Sequence, residues 1–353
     1  MFDPPLPPSL AGIAFVEFTV DEGTENTLGA MLGQMGFRRI ARHRTKDVSL
    51  FSHGEIRIVL NKEPDSFAHS YLLMHGTSVC ALALRTDDAM AALGRAEAYG
   101  CVRFEGRLNP NEHAIPAVRS LDGSLIYFTD EIGADRSGFE ADFVMDDDES
   151  FRAVGVLERI DHIAQALPEG QLDAWVLFYR AVLGLEPEDY FVLPDPYGLV
   201  RSRAVSNATR TVRFPFNISE SRNTATARSV TTYAGAGVHH IAFAARDIFV
   251  AARTMAAAGV SILPIPANYY DDIVARFDLP DDLVDRMREF NILYDRSDGG
   301  ELFQFYTLAF DDRFFFEVVQ RTGGYDLYGA PNAPVRMAAF AQLRGLSPAQ
   351  LMG

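Results

Sequence analysis

His162, His240 and Glu317 lie 78 and 77 residues apart in the second half of the chain, each inside a short run of strand-like apolar residues. Two imidazoles and one carboxylate can hold one face of a divalent metal and leave the other face open to substrate and dioxygen, as in non-haem Fe(II) oxygenases. Glu317 sits in Phe314-Phe-Phe-Glu-Val-Val319, where an ionised carboxylate is costly unless it is paired or metal-bound. Arg313 and Arg321 compete as partners, but each is four residues away, too far along a strand to reach it directly.

The elements that must position these residues repeat. Four segments open alike: Gly12-Ile-Ala-Phe-Val-Glu-Phe-Thr-Val-Asp, Ser78-Val-Cys-Ala-Leu-Ala-Leu-Arg-Thr-Asp-Asp, Arg159-Ile-Asp-His-Ile-Ala and Gly237-Val-His-His-Ile-Ala-Phe-Ala-Ala-Arg-Asp. Internal repetition of this kind decides the architecture before any single element does. A helical stretch follows each opening strand, over Thr27 to Met35, Ala89 to Ala98, Leu172 to Leu183 and Phe249 to Ala258. Gly36 and Gly184 stop the first and third of these, as a helix C-cap requires. Further strands are expected at Val48 to Phe51, Ile56 to Leu60, Leu125 to Phe128, Val212 to Phe216, Leu302 to Thr307 and Phe314 to Val319. The expected class is α+β, with four β-α-β-β-β modules paired into two open barrels around central cavities.

Aligned on the openings, the place of His240 is taken by His162 in the third module, Ala81 in the second and Phe15 in the first. The second module has Leu125-Ile126-Tyr127 where the fourth carries Glu317, so only the second barrel is expected to hold metal. A packing role does not call for the same polar residue twice in otherwise different modules. Strand alternation turns His240 inward together with Val238 and Ala242, and turns His239 the opposite way. His43, His53, His69, His75 and His113 lie in polar or loop contexts and are given no role. Gly299-Gly300 and Gly323-Gly324 read as turns, because neither lies in the strand, loop, helix order that phosphate binding needs.

At 353 residues the chain exceeds one ordinary core. The expected division is an N-terminal barrel over 1–140 without metal and a C-terminal metal-binding barrel over 141–353. Glu131 to Arg152, containing Asp146-Asp147-Asp148-Glu149, reads as an exposed linker between them. A net charge of −16 argues against nucleic acid and anionic membrane partners. No apolar run is long enough for a transmembrane helix, and the start Met1-Phe-Asp-Pro-Pro lacks the pattern of a signal peptide. The cytoplasm is therefore the expected location. Cys80 and Cys101 are expected to be reduced thiols, and self-association into a homo-oligomer is left open.

From Arg159 to Leu343 the chain resembles the 4-hydroxyphenylpyruvate dioxygenase family of the vicinal oxygen chelate (glyoxalase-like) superfamily. The resemblance rests on Asp161-His162-Ile163, Phe214-Pro215-Phe216-Asn217, Gly237-Val-His-His240-Ile-Ala, Pro266-Ala-Asn-Tyr269-Tyr270-Asp, Leu302-Phe-Gln304-Phe-Tyr-Thr307 and Phe315-Phe-Glu317-Val-Val-Gln320-Arg321. It implies Fe(II), or another divalent metal such as Mg, Mn, Co or Zn, on His162, His240 and Glu317. It also implies a small-molecule aryl or related 2-oxo acid and dioxygen as reactants. Ser202, Asn217 and Gln304 are implied as polar groups of the cavity wall. Tyr306 and Phe316 are implied as aromatic neighbours, with packing and ring stacking both open for each. The stretch Asn332 to Leu343 reads as a C-terminal helix with an asparagine N-cap, and the family uses such a helix to cover the mouth. The pocket departs from the family at His239, where glutamine is usual, and at Tyr306, where phenylalanine is usual.

The chain also resembles, over its whole length, the dioxygenase-like C-terminal domain of bacterial two-domain 3-dehydroshikimate dehydratases. That resemblance rests on Asn61-Lys-Glu-Pro64, Phe67-Ala-His-Ser70, Asp122-Gly-Ser-Leu125 and Tyr325-Asp-Leu-Tyr328-Gly-Ala330. In those enzymes the dehydratase chemistry belongs to a separate N-terminal barrel, so dehydratase activity is not carried over. The alternative it raises is a metal-binding module associated with such a dehydratase, without oxygenase activity of its own.

Overall fold

A computed structural model describes residues 4–130, 139–146, 155–297 and 299–345. The first half runs β1 (Leu10–Thr19), α1 (Glu22–Gln34), β2 (Arg38–His43), β3 (Val48–His53), β4 (Ile56–Asn61), α2 (Phe67–His75), β5 (Ser78–Thr86), α3 (Ala89–Ala98), β6 (Ala117–Arg119), β7 (Leu125–Asp130) and β8 (Phe143–Met145). These strands form one sheet in the order β6-β7-β5-β1-β4-β3-β2-β8.

The second half begins with β9 (Leu157–Ala166), α4 (Leu172–Leu183), β10 (Glu186–Asp195), β11 (Gly198–Ser206), β12 (Arg213–Ile218) and α5 (Ala225–Thr232). It continues with β13 (Gly237–Ala245), α6 (Ile248–Ala257), α7 (Ala267–Phe277), α8 (Asp281–Glu289), β14 (Leu293–Ser297), β15 (Gly300–Tyr306), β16 (Phe315–Thr322) and α9 (Ala333–Gly345). Its sheet order is β10-β11-β12-β9-β13-β16-β15-β14. The duplicated β-α-β-β-β plan is present. The expected pair of barrels is corrected, however: the second sheet forms a half-barrel, and the first does not close, ending in β6 and β8.

The register explains why the halves are alike in backbone and unlike in chemistry. In the second sheet His162 pairs with Ala242 and Ala164 with His240 across antiparallel β9 and β13, while Ala242 pairs with Glu317 on parallel β16. In the first sheet Phe15 pairs with Ala83 and Glu17 with Ala81 across β1 and β5, while Ala83 pairs with Tyr127 on β7. Phe15, Ala81 and Tyr127 therefore stand where the second half has His162, His240 and Glu317.

One face of each sheet packs, with its helices, into a single core that joins the halves. Phe18 and Phe314 meet across it with ring centroids 4.9 Å apart, and Phe37 meets Phe243 at 5.5 Å. Burying rings of this size is worth about 1.5–3 kcal/mol each. His53, which the sequence left without a role, is buried at this seam and accepts the Leu157 N–H at Nε2 over 3.0 Å. Gly184 ends α4 in the left-handed region at φ 70°, and a Cβ there would come 2.5 Å from Pro7 Cβ, so turn and packing both require glycine.

Several expected boundaries shift for identifiable reasons. The first helix starts at Glu22, because Asp21 and Thr24 form a reciprocal cap. Within the expected linker, Phe143–Met145 forms a strand on β2, so that part belongs to the first sheet. Of the acidic run, Asp146 pairs with Arg39 at 3.2 Å, and the rest lies outside the described residues. Asn332 precedes α9, but its side chain is buried elsewhere: Nδ2 donates to Tyr294 O and Oδ1 accepts from the Tyr269 hydroxyl. Cys80 and Cys101 form no disulfide. No helix among the described residues is long and apolar enough to cross a membrane.

Candidate metal centre

β9, β13 and β16 lie side by side at the middle of the second sheet, and their cavity-facing positions carry the three expected ligands. One donor atom each from His162, His240 and Glu317 falls within 4.8 Å of the other two, and all three residues are buried. Both imidazoles turn Nε2 toward the same carboxylate oxygen. Glu317 Oε2 is 3.4 Å from His162 and 3.3 Å from His240. Burial pushes the Glu317 carboxyl up, but hydrogen bonds and charge from the two histidines outweigh it and hold it down at about 2. The carboxylate is thus ionised, and among the described residues its ion-pair partners are the two imidazoles, the situation a divalent cation resolves.

The neighbours of the histidines fix which nitrogen is free. His162 Nδ1 donates to Asp161 Oδ1 at 2.9 Å, and Arg321 grips the same carboxylate at 2.8 Å. Asp161 therefore stays charged although buried, with its carboxyl well below the usual range against the opposing effect of burial. Burial lowers His162, but Asp161 and Glu317 more than reverse it. His240 lacks an acid at Nδ1, and burial takes it down to about 4 despite Glu317. Its Nδ1 lies 3.1 Å from His239 Nδ1. With Nε2 of His240 left as a ligand lone pair, Nδ1 carries the proton and His239 accepts it. Orientation of each ligand from its far nitrogen, together with the convergent N, N, O donor set, fits a divalent metal of the Fe(II) type.

His239 reaches this position through a bulge that the sequence did not reveal. Across β9 and β13, Val238 pairs with Gln165 and His240 with the adjacent Ala164, so His239 is an extra residue. The alternation expected to turn His239 away from His240 and to group Val238 with Ala242 is therefore corrected. Val238 joins the core with Ile241 and Phe243, while Ala242 lies on the opposite face. The His239 ring stands edge-on to Phe315 at 5.0 Å.

The cavity beside the triad has a volume of about 70 Å³. Ser202 and Asn217, register partners on β11 and β12, line it together with Tyr306. Gln304, expected on the cavity wall, is fully buried on β15 two residues from Tyr306 and is not among the residues that line the cavity; its carboxamide has no hydrogen-bond partner among the described residues. Phe316 faces the core instead, packed on Phe243 at 5.6 Å, which settles its role as packing. Arg321 serves Asp161, and Arg313 donates to His75 O, so neither arginine pairs with Glu317.

Among the cavity residues missed from sequence, Arg336 and Tyr328 bear most on the site. Arg336 on α9 lines the cavity, its guanidinium 5.4 Å from the Tyr306 ring centre and 5.3 Å from that of Phe315. Tyr328 stands edge-on to His162 at 5.3 Å and donates to Glu188 Oε1 at 2.9 Å. The stretch Tyr325 to Ala330 had signalled a resemblance but not this position. α9 also forms part of the cavity wall through Ala333, and its Phe340 packs on Phe315 at 5.0 Å.

Residues 2–144 match the family described as hydroxyphenylpyruvate dioxygenase, HPPD, N-terminal. Residues 159–284 match the glyoxalase/bleomycin resistance protein/dioxygenase superfamily. A 3-dehydroshikimate dehydratase of Pseudomonas aeruginosa is 53% identical over 350 residues, which are 98% of this chain and 54% of that protein. A 4-hydroxyphenylpyruvate dioxygenase of the same organism is 33% identical over 317 residues, 88% of each chain. Among solved structures, a xylose isomerase-like TIM barrel/4-hydroxyphenylpyruvate dioxygenase fusion protein superposes with a TM-score of 0.86 at 47% identity, over 97% of this chain and 54% of that one. A variant of 4-hydroxymandelate synthase from Streptomyces coelicolor shares the fold, with a TM-score of 0.84 at 23% identity over 96% of this chain and 100% of that one. The chain spans about half the length of the dehydratase and of the fusion protein.

Proposed function

Because the chain belongs to the 4-hydroxyphenylpyruvate dioxygenase family, within the glyoxalase/dioxygenase superfamily, we propose that it is an Fe(II)-dependent oxygenase acting on an aryl or related 2-oxo acid. The observation that carries this reading is the convergence of His162, His240 and Glu317 in the wall of one cavity. A metal bound there supplies a chelation point for the carboxylate and keto oxygens and the redox capacity to use dioxygen for oxidative decarboxylation and hydroxylation.

The chain's own residues orient and enclose. Asp161 and His239 hold the two imidazoles by their Nδ1 protons, so neither ring can turn its lone pair away. Arg336 gives an anionic substrate a counter-charge inside the cavity, while Ser202 and Asn217 take its distal polar group side by side. Gln304, buried two residues from Tyr306 with its carboxamide unsatisfied at a cost of about 1–3 kcal/mol, reaches such a substrate only when the cavity widens. Ligand sites ordinarily measure about 300–1,000 Å³, so a cavity of about 70 Å³ must widen to admit an aryl 2-oxo acid, and α9, which carries Ala333 and Arg336 in its wall, is the element whose displacement would do so. The test is oxygen consumption by Fe(II)-loaded protein across a panel of aryl 2-oxo acids. Uptake that depends on the acid and vanishes in Glu317→Ala is expected, and none with any acid at full Fe(II) occupancy overturns the reaction class.

A second reading is supported by the 53% identity to a dehydratase about twice this chain's length. In it the chain is a metal-binding module that works alongside dehydratase chemistry without consuming oxygen. It predicts metal binding with no oxygen uptake, and co-elution with a dehydratase barrel supplied as a separate chain.

A further inference from the structure

A second cavity, about 1110 Å³ and so larger than the one beside the triad, opens on the first sheet, on the face equivalent to the one that carries the metal ligands in the second. Its floor has Phe15 and Tyr127 at the positions of His162 and Glu317, with ring centroids 5.7 Å apart. The three metal-ligand positions of the second half are thereby lost. A carboxyl stands one pair further along, where Glu17 occupies the position that Ala164 holds in the second half.

Glu17 is 8% exposed and lines this cavity. Its Oε1 accepts from Asn61 Nδ2 at 2.6 Å, and no cation stands within ion-pair distance of it among the described residues. The nearby Lys46 is committed to Glu112 at 2.9 Å, and Arg119 lies over the rings of Phe67 and Phe104 at 5.1 and 5.4 Å. A carboxyl held at the bottom of a roomy, ring-lined cavity on one hydrogen bond is a costly arrangement for packing alone.

We propose that the first half holds a small-molecule site of its own, in which Glu17 and Asn61 take the hydroxyl of an uncharged aromatic or alicyclic ring compound. The rings of Phe15, Tyr127, Phe67 and Phe104 supply contact for the body of such a ligand, and Glu17 with Asn61 supplies paired donors and acceptors. Burial favours the protonated carboxyl of Glu17, which suits a neutral hydroxyl better than an ammonium group.

The test is 19F NMR titration of the full chain with 4-fluorophenol, with fluorobenzene and 4-fluorobenzylamine as comparison probes. Line broadening by 4-fluorophenol in preference to both is expected, weakened about tenfold in Glu17→Leu, the loss of one buried hydrogen bond, and unchanged in Glu317→Ala. Asn61→Ala is the second variant, to be read in place of Glu17→Leu if the latter shows an altered melting temperature. No binding of the phenol, equal or tighter binding of the amine, unchanged binding in the correctly folded Glu17 or Asn61 variant, or loss of binding in Glu317→Ala would each overturn the proposal.

Discussion

Asp161 Oδ1 accepts the Nδ1 proton of His162 at 2.9 Å while Arg321 grips the same carboxylate, so a ligand imidazole, an acid and a guanidinium form one buried chain. Partners of this kind typically carry 10–100-fold in metal affinity. Asp161→Asn is expected to weaken divalent metal binding by about that factor with the fold retained. Isothermal titration with Zn(II) or Co(II) measures it. Unchanged affinity would show that His162 needs no such support.

His239 plays the matching part for His240 at 3.1 Å. His239→Leu removes the acceptor and should weaken metal binding about tenfold or more. His239→Gln keeps a side-chain acceptor and should retain most of the affinity. Equal losses in the two variants would assign the effect to packing against Phe315 rather than to the Nδ1 contact.

Arg336 is the cation that α9 carries into the metal cavity. Arg336→Met should raise KM for an anionic 2-oxo acid about tenfold or more, the scale of a lost charged hydrogen bond, and leave metal content unchanged. Steady-state oxygen uptake gives KM and kcat separately. A fall in kcat with unchanged KM would place Arg336 outside substrate binding.

Two carboxyls of the first half should give pH dependences of opposite sign. Burial raises Glu17 above its ordinary value despite the Asn61 hydrogen bond, so its contribution is full at low pH and declines as pH rises from about 4.3 through the folded value. Glu17→Gln should therefore gain stability relative to wild type as pH rises from acid to neutral. Burial also raises Glu112, but Thr45, Lys46 and Asn109 outweigh it and bring it to about 2. Its contribution is present above the ordinary carboxyl value and fades as pH falls toward 2. Glu112→Gln should narrow its deficit over that acid range. Urea unfolding at several pH values reads both, and parallel curves for variant and wild type would contradict the assignment.

The repeated openings made the topology and the three ligands legible, because His162 and His240 recur at one position of two modules and Glu317 lies in an apolar strand with no arginine in reach. The bulge at His239 was invisible because a two-residue period cannot show an inserted residue. Arg336 was missed because the apolar pattern of α9 does not say which side meets a cavity built by strands far away in sequence. The α7 and α8 pair was hidden for a related reason: Pro266 and Pro280 mark helix starts without a capping side-chain hydrogen bond. Glu17 passed unnoticed inside a strand opening whose apolar neighbours set the pattern.

The central claim is that His162, His240 and Glu317 hold one divalent metal. The most direct measurement is metal per chain after anaerobic loading with Fe(II) and gel filtration, in wild type and in Glu317→Ala. One equivalent in wild type, with little retained in the variant at unchanged secondary structure, is the predicted result. Equal metal in both proteins would contradict it.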